Sequence, residues 1–160
     1  MEKPTAAKII DERTARAKAE HFCVYQERSQ QEVRDKLYEW GLHQAQVEQV
    51  ISQLIGDNFI SEERFAKAYA QGKFNQKAWG RIKIKQGLKL KKVPDVLIKK
   101  ALNSIDPDDY MRVLSRLIEK KSAQIKEKDG YKRIYKLKQY AMGRGFEADL
   151  ISEVLKASDL

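Results

Sequence analysis

The sequence is poor in cysteine and histidine, which build many catalytic and metal sites. Its 160 residues include one cysteine, Cys23, and two histidines, His21 and His43. A lone cysteine excludes an internal disulfide, and so few ligands exclude a zinc-type cluster. We interpret Cys23 as a small buried side chain of the first helix rather than a nucleophile. Because the sequence also has no phosphate-binding loop, we expect no catalysis, no metal and no cofactor.

Long hydrophobic runs are also missing. The apolar stretches are only a few residues long, and segment 1–13 mixes charges of both signs. A membrane-spanning helix needs about 20 apolar residues and a secretory signal needs an apolar core, so neither is predicted. We therefore expect a cytoplasmic protein without a membrane partner, and we treat 1–13 as a tail.

Acidic residues are absent from 64–94, although the whole chain has 23 of them. Ten of the 32 Lys and Arg residues lie in this segment, so the other 22 nearly balance the acidic residues and the net charge of +9 is local. Like charges repel one another, and a run of one sign therefore indicates a polyanion or an acidic protein surface as partner. The ten cations are Arg64, Lys67, Lys73, Lys77, Arg81, Lys83, Lys85, Lys89, Lys91 and Lys92.

Start and stop signals for helices recur along the chain. Ser29 and Glu32 have the spacing of a capping box, and Gly41 is placed to end the helix that follows. Asp106 followed by Pro107 is typical of an N-cap and the first residue of a helix. Apolar residues spaced three and four apart accompany these signals, so we predict an all-α fold.

Five apolar positions repeat three times, at an interval of about fifty residues. Self-similarity at this interval, with three predicted helices per copy, predicts a tandem array of three small three-helix bundles. We expect the array to be elongated and monomeric, with bundles at 14–57, 58–105 and 106–160. The repeated positions are Val33, Leu37, Leu42, Val47 and Ile51, then Ile84, Leu88, Val93, Ile98 and Leu102, then Leu137, Ala141, Phe146, Ile151 and Leu155.

Segment 81–92 carries two conflicting signals. Its cations and apolar residues alternate on both sides of Gln86 and Gly87, which favours a β-hairpin. The repeat instead predicts a helix with Ile84 and Leu88 on its apolar face. An isolated two-stranded hairpin is marginal in water, and nothing else in the sequence predicts a sheet to receive it, so we predict the helix.

Three short motifs stand in order along the chain. They consist of Phe59, Ile60, Glu62, Arg64, Phe65 and Ala66, then Gly80, Ile84, Leu88 and Lys91, then Arg144, Gly145 and Phe146. In this order and spacing they resemble the RecX family of bacterial regulatory proteins, over about residues 14–157. Ser61 replaces the family's usual acidic residue but is itself a good N-cap. Lys92 replaces a glycine, which removes the preferred left-handed C-cap.

The resemblance implies a partner and a function. RecX-family proteins bind the filament that the RecA recombinase forms on single-stranded DNA and usually restrain its recombinase and ATPase activities. The resemblance thus implies a non-enzymatic regulator in recombination, DNA repair and the SOS response. We expect weak, sequence-tolerant contact with single-stranded DNA, and the cations could meet either DNA phosphates or recombinase carboxylates. The predicted contact residues are Lys73, Lys77, Arg81, Lys83, Lys85, Lys89, Lys91 and Lys92, with a lesser group of Lys132, Arg133, Lys136 and Lys138.

A single-strand binder that acts without the recombinase is the alternative. Phe74 and Trp79 lie among the cations and are candidates to stack on bases, although a tryptophan at a helix entry more often packs. A helix-turn-helix reader of duplex DNA is disfavoured. Its second helix, 44–55, has Glu48 and no Lys or Arg to meet phosphate or guanine.

Overall fold

The computed structural model of the protein describes residues 10–158, and all regular structure in this range is helical. The predicted all-α fold is confirmed. The helices of the described range are α1 (Glu12–Tyr25), α2 (Gln30–Glu39), α3 (Gln44–Gly56), α4 (Glu62–Lys77), α5 (Arg81–Leu90), α6 (Asp95–Asn103), α7 (Pro107–Gln124), α8 (Gly130–Gly143) and α9 (Ala148–Ala157). Of the predicted tail, 1–9 lies outside the described residues, and α1 begins at Glu12.

The predicted helix signals at Ser29, Gly41 and Asp106 are confirmed. The Ser29 hydroxyl accepts a hydrogen bond from the Glu32 N–H at 3.0 Å, and the Glu32 carboxylate accepts one from the Ser29 N–H at 3.4 Å. Gly41 follows α2 with φ of 96°, a left-handed conformation that a glycine adopts at little cost. Asp106 caps α7, whose first residue is a proline. Local sequence chemistry therefore determines where these helices start and stop.

Residues 81–90 form the helix α5, so the helical prediction is confirmed over the hairpin. Ile84 and Leu88 are fully buried, as the repeat requires. Lys92 has φ of 59°, so the chain forms a left-handed C-cap here even without glycine. That conformation costs a non-glycine residue roughly 1–2 kcal/mol, and burial of the adjacent Val93 helps to offset it.

The described residues divide into two compact units. The first comprises the described residues up to Ala66 together with Lys91–Val93. Its core lies among α1, α2 and α3 and consists of Ala15, Ala19, Cys23, Val33, Leu37, Leu42, Val47, Val50, Ile51, Leu54 and Ile60. Cys23 is thus a core side chain, as predicted.

The second unit comprises Lys67–Leu90 and the described residues from Pro94 onward. It contains α5 to α9 and most of α4. Three aromatic rings meet inside it: the centroids of Phe74 and Tyr110 are 5.8 Å apart, and those of Tyr110 and Phe146 are 5.1 Å apart. Because all three rings are buried, they tie α4 and α7 to the turn before α9.

The repeat correctly predicts the buried side of the helices. Thirteen of its fifteen positions are buried. The two exceptions, Leu102 and Leu155, are half-buried and occupy the same position of the second and third copies, where the first copy has the buried Ile51. Helical periodicity is a local property, and it therefore identifies the apolar face before the fold is known.

Candidate nucleic-acid or filament interface

The predicted cations of the second repeat are divided between the two compact units. Lys91 and Lys92 belong to the first unit, and the remaining six belong to the second. The Nζ atom of Lys91 lies 3.0 Å from a carboxylate oxygen of Glu32, so its charge is compensated within the first unit. Lys92 is exposed. The second unit therefore supplies most of the candidate surface.

Trp79 brings two of the predicted lysines together. The Nζ atoms of Lys73 and Lys83 lie 4.9 Å and 4.6 Å from the centroid of the indole ring. The face of an indole attracts cations, so the half-buried ring stabilises the position of both ammonium groups. We call Lys73, Trp79 and Lys83 the tryptophan cluster. It places two positive charges within 4.9 Å of the centroid of one ring in the second unit.

The solvent face of α5 carries a separate pair of lysines. Lys85 and Lys89 are exposed, lie one helical turn apart and have no acidic residue on the same helix. Lys83 is two positions from Lys85, and therefore roughly 200° away around the helix axis. The predicted lysines of α5 thus split into the exposed pair and the member of the tryptophan cluster.

Arg81 is engaged inside the second unit. Its guanidinium donates to the Glu147 carboxylate at 2.8 Å and lies 3.8 Å from the centroid of the Tyr110 ring. Its backbone N–H donates to the Tyr110 hydroxyl at 3.0 Å. These bonds join the start of α5 to α7 and to the start of α9. Arg81 therefore has a structural role, whether or not it also meets a partner.

Arg133, in the lesser predicted group, is likewise engaged within the chain. Its guanidinium donates to the hydroxyl and carbonyl of Ser122, both at 2.5 Å, and to the carbonyl of Ile125 at 3.1 Å. These acceptors belong to the end of α7, whose last carbonyls need donors. Arg133 thus closes the α7–α8 connection.

The other members of the lesser group lie on α8 beside aromatic residues that the sequence analysis missed. Tyr131 and Tyr135 are 85% and 58% exposed, and Lys132 and Lys136 follow them in the chain. Lys138 is half-buried. The spacing of these residues could have revealed the surface from the sequence alone. Residues four apart share a helix face, so Tyr131 and Tyr135 lie one turn apart on α8, as do Lys132 and Lys136. The result is an exposed face with alternating tyrosine and lysine.

Phe74 does not take the role that the single-strand alternative gave it. Its ring is only 4% exposed and stacks on Tyr110 in the core of the second unit. The prediction that Phe74 stacks on bases is therefore wrong, because burial of a large apolar ring outweighs its position among cations. Trp79 is half-buried, with lysine ammonium groups over its ring.

The first family motif holds the chain segment before α4. The guanidinium of Arg64 donates to the carbonyls of Asn58 at 3.1 Å and Phe59 at 3.3 Å, and to the carboxylate of Glu27. Glu62 accepts the first backbone N–H of α2 at 2.6 Å, and partial burial raises the pKa of its carboxyl. The apolar members Ile60, Phe65 and Ala66 are buried. Ser61 caps α4, since its hydroxyl accepts a hydrogen bond from the Arg64 N–H at 3.2 Å.

Neither a metal-ligand cluster nor a reactive thiol is found among the described residues. No three or more His, Cys, Asp or Glu side chains between residues 10 and 158 are placed to hold a metal ion. Burial raises the pKa of the Cys23 thiol to about 11, so the thiol is protonated at neutral pH and is a poor nucleophile. In the same range, no helix combines the length and the apolar character needed to cross a bilayer.

Solved structures share this fold. The crystal structure of RecX from Lactobacillus salivarius superposes with a TM-score of 0.83, covering 91% of this chain and 95% of that one at 24% sequence identity. A second crystal structure of a regulatory protein RecX also gives 0.83, at 21% identity. At these identities, the likeness establishes the helical fold.

Sequence comparisons extend the likeness from fold to family. "Regulatory protein RecX" of Clostridium acetobutylicum is 32% identical over 146 residues, which are 89% of this chain and 67% of that protein. The protein of the same name from Oceanobacillus iheyensis is 31% identical over 87% of this chain and 51% of its own length. The chain thus spans about half to two thirds of the length of these relatives.

Family models match the chain in three consecutive segments. The first, second and third three-helix domains of RecX match residues 15–54, 61–102 and 108–155. The predicted tandem of three three-helix bundles is therefore confirmed, while the exact boundaries at 57/58 and 105/106 and the elongated shape stay predictions. The chain belongs to the RecX family of regulatory proteins.

Proposed function

We propose that this chain is a regulator without catalytic activity that binds the RecA recombinase filament on single-stranded DNA and restrains recombinase activity. Family membership supports the regulatory role, and the resemblance of the motifs supports RecA as the partner. In this proposal the protein acts as a monomer in the cytoplasm. It contacts the filament mainly through the tryptophan cluster and the exposed pair Lys85 and Lys89.

The observation that carries the proposal is the surplus of unpaired positive charge on α4 and α5. Of the ten cations in 64–94, three pair with a carboxylate among the described residues: Arg64, Arg81 and Lys91. The other seven make no such pair in that range: Lys67, Lys73, Lys77, Lys83, Lys85, Lys89 and Lys92. Mutual repulsion makes such an arrangement unfavourable for a free protein, and a polyanion such as filament DNA would relieve it.

A titration of RecA ATPase activity tests the regulatory role. A protein that makes several modest contacts along a repeating filament gains avidity, so one bound molecule can affect many subunits. We expect suppression of ATPase activity at well below one molecule per RecA subunit. The midpoint should be measured at two concentrations of single-stranded DNA. A midpoint that merely follows the number of available DNA sites would show simple competition for DNA and would contradict the proposal.

Charge-neutral variants test the proposed surface. Lys85→Gln with Lys89→Gln removes two exposed charges from α5 and should shift the inhibition midpoint to higher protein concentration. The matched control is Arg116→Gln with Lys156→Gln, which removes two exposed charges from α7 and α9. The control should inhibit like the parent. Equal inhibition by both variants would exclude this face of α5 as the contact.

The exposed face of α8 favours a second candidate function, sequence-tolerant binding of single-stranded DNA without the recombinase. Tyr131 and Tyr135 are available to stack on bases, which is worth about 1–3 kcal/mol per base. The adjacent Lys132 can meet phosphate, whereas Lys136 pairs with the Glu127 carboxylate at 3.4 Å and would have to exchange that partner for phosphate. Tyr131→Ala with Tyr135→Ala should then weaken binding to bare oligothymidylate. If RecA-dependent inhibition survives this change, the two functions use different surfaces.

A further inference from the structure

A polar pocket in the second compact unit is lined by four cations and by no carboxylate. Its volume is about 370 Å³, and it lies where the C-terminal ends of α4, α7 and α8 meet. Two glutamines, Gln76 and Gln124, add amide groups to the lining. The four cations are Lys77, Lys120, Lys121 and Arg144. Three of these four are outside the contact residues predicted from the sequence.

Helix ends account for only part of this positive charge. Lys and Arg are favoured near helix C-termini because each terminus carries roughly half a negative charge. Three termini therefore compensate about 1.5 of the four positive charges. An excess of more than two positive charges remains in a pocket without acidic groups. This excess points to an anionic ligand.

The cations are only partly satisfied within the chain. Arg144 donates through Nη2 to the carbonyl of Lys77, while its Nε is buried and has no hydrogen-bond partner in the described structure. A buried donor without a partner is costly, so the chain itself does not saturate the hydrogen-bonding capacity of this guanidinium. Lys121 Nζ lies 4.6 Å from the centroid of the Tyr140 ring. Lys120 is exposed, and none of the four pairs with a carboxylate among residues 10–158.

We infer that this pocket binds a phosphate group, carried by a nucleic acid or by a free nucleotide. A phosphate presents several anionic oxygens in different directions, which suits cations that approach from three helices. Arginine adds a planar donor group, and the glutamine amides can donate to the remaining oxygens. A single carboxylate would neutralise at most one of the surplus charges. The site goes beyond the proposed regulatory function, since binding of a free phosphate compound requires neither RecA nor DNA.

Pyrophosphate is a suitable probe, and NMR of the full chain can monitor its binding. Titration should shift the side-chain amide signals of Gln76 and Gln124 and should saturate. The Lys120→Glu variant should bind pyrophosphate about tenfold more weakly, because the reversed charge repels the ligand at short range. Lys156→Glu is the control, since this exposed lysine of α9 is outside the pocket lining and the net charge changes equally.

Two outcomes overturn the inference: shifts no larger than sodium chloride produces at equal ionic strength, or equal affinity in the two variants. A second experiment, in which oligothymidylate is added to the pyrophosphate complex, identifies the source of the phosphate. If the oligonucleotide displaces pyrophosphate and the glutamine amide signals move to a new, oligonucleotide-bound position, the pocket binds a nucleic-acid phosphate. Persistence of the pyrophosphate signals supports a free nucleotide. Neither result depends on recombinase inhibition, so the pocket and the regulatory function can fail separately.

Discussion

Gly80 and Gly145 meet backbone against backbone in the second compact unit. The Gly80 N–H donates to the carbonyl of Arg144 at 2.8 Å, and the Ile82 N–H donates to the carbonyl of Gly145 at 3.0 Å. A Cβ at position 80 would lie 2.3 Å from the carbonyl carbon and oxygen of Gly145. Gly145 also has φ of 95°, which a side chain would strain. Two glycines of the family motifs are thus required by one close approach of the chain.

Gly80→Ala should destabilise the protein. The added methyl group meets backbone atoms held by two hydrogen bonds, so the turn must shift, at a cost of about 2–4 kcal/mol. Urea unfolding followed by circular dichroism measures the change. Gly72→Ala is the matched control, since a Cβ there meets nothing within 4 Å and position 72 is inside α4. It should stabilise by up to about 1 kcal/mol, and similar destabilisation by both variants would contradict the role of the close approach.

Tyr110→Phe should also destabilise the second unit. The buried Tyr110 hydroxyl accepts from the Arg81 N–H at 3.0 Å and donates to the Glu147 carboxylate. Removing it leaves both partners without this bond, at an expected cost of about 1–3 kcal/mol in the free energy of unfolding. The same substitution at Tyr131, which is 85% exposed, should change stability by less than about 0.5 kcal/mol. Equal effects at the two positions would exclude a specific role for the hydroxyl.

Cys23 should react slowly with iodoacetamide in the folded protein. Burial raises the pKa of its thiol from 9.0 to about 11, which lowers the thiolate fraction at pH 8 by about 100-fold. Alkylation in native buffer and in urea, followed by mass spectrometry, compares the two states. Because the pKa of the thiol is higher in the folded protein, burial of the neutral thiol contributes fully to the free energy of unfolding below pH 9. This contribution is lost as the pH rises toward 11. Equal alkylation rates would show that the first helix opens readily.

Binding to single-stranded DNA should depend steeply on salt. If about five phosphates are neutralised, the logarithm of the affinity should fall with the logarithm of the salt concentration with a slope near −3.5. Lys85→Gln with Lys89→Gln should reduce the steepness by about 1.4, since two phosphate contacts are lost. Fluorescence anisotropy of labelled oligothymidylate measures both slopes. An unchanged slope in this variant would move the DNA contact elsewhere, with the lysines of α8 as the next candidates.

The sequence by itself determined the helices and their buried faces. The capping box at Ser29, the glycine at 41 and the Asp-Pro pair at 106 and 107 act within a few residues, so neighbouring letters contain the information. The repeat did the same for α5, where the local alternation of Lys with Ile and Leu favoured a hairpin. Burial of Ile84 and Leu88 shows that the repeated pattern was the better guide. The family could be inferred for the same reason, since its motifs combine short-range patterns in a fixed order.

Only the tertiary structure decided which cations are free to meet a partner. Arg81 and Glu147 are 66 positions apart, and no local pattern shows that they pair. The same holds for the burial of Phe74 against Tyr110, and for the pocket where Lys77, Lys120 and Arg144 come together. Long side chains reach whichever acceptor the packing brings near. Charge density along the sequence therefore indicated a polyanion or an acidic protein surface as partner, while the residues available to hold it depended on how the helices pack.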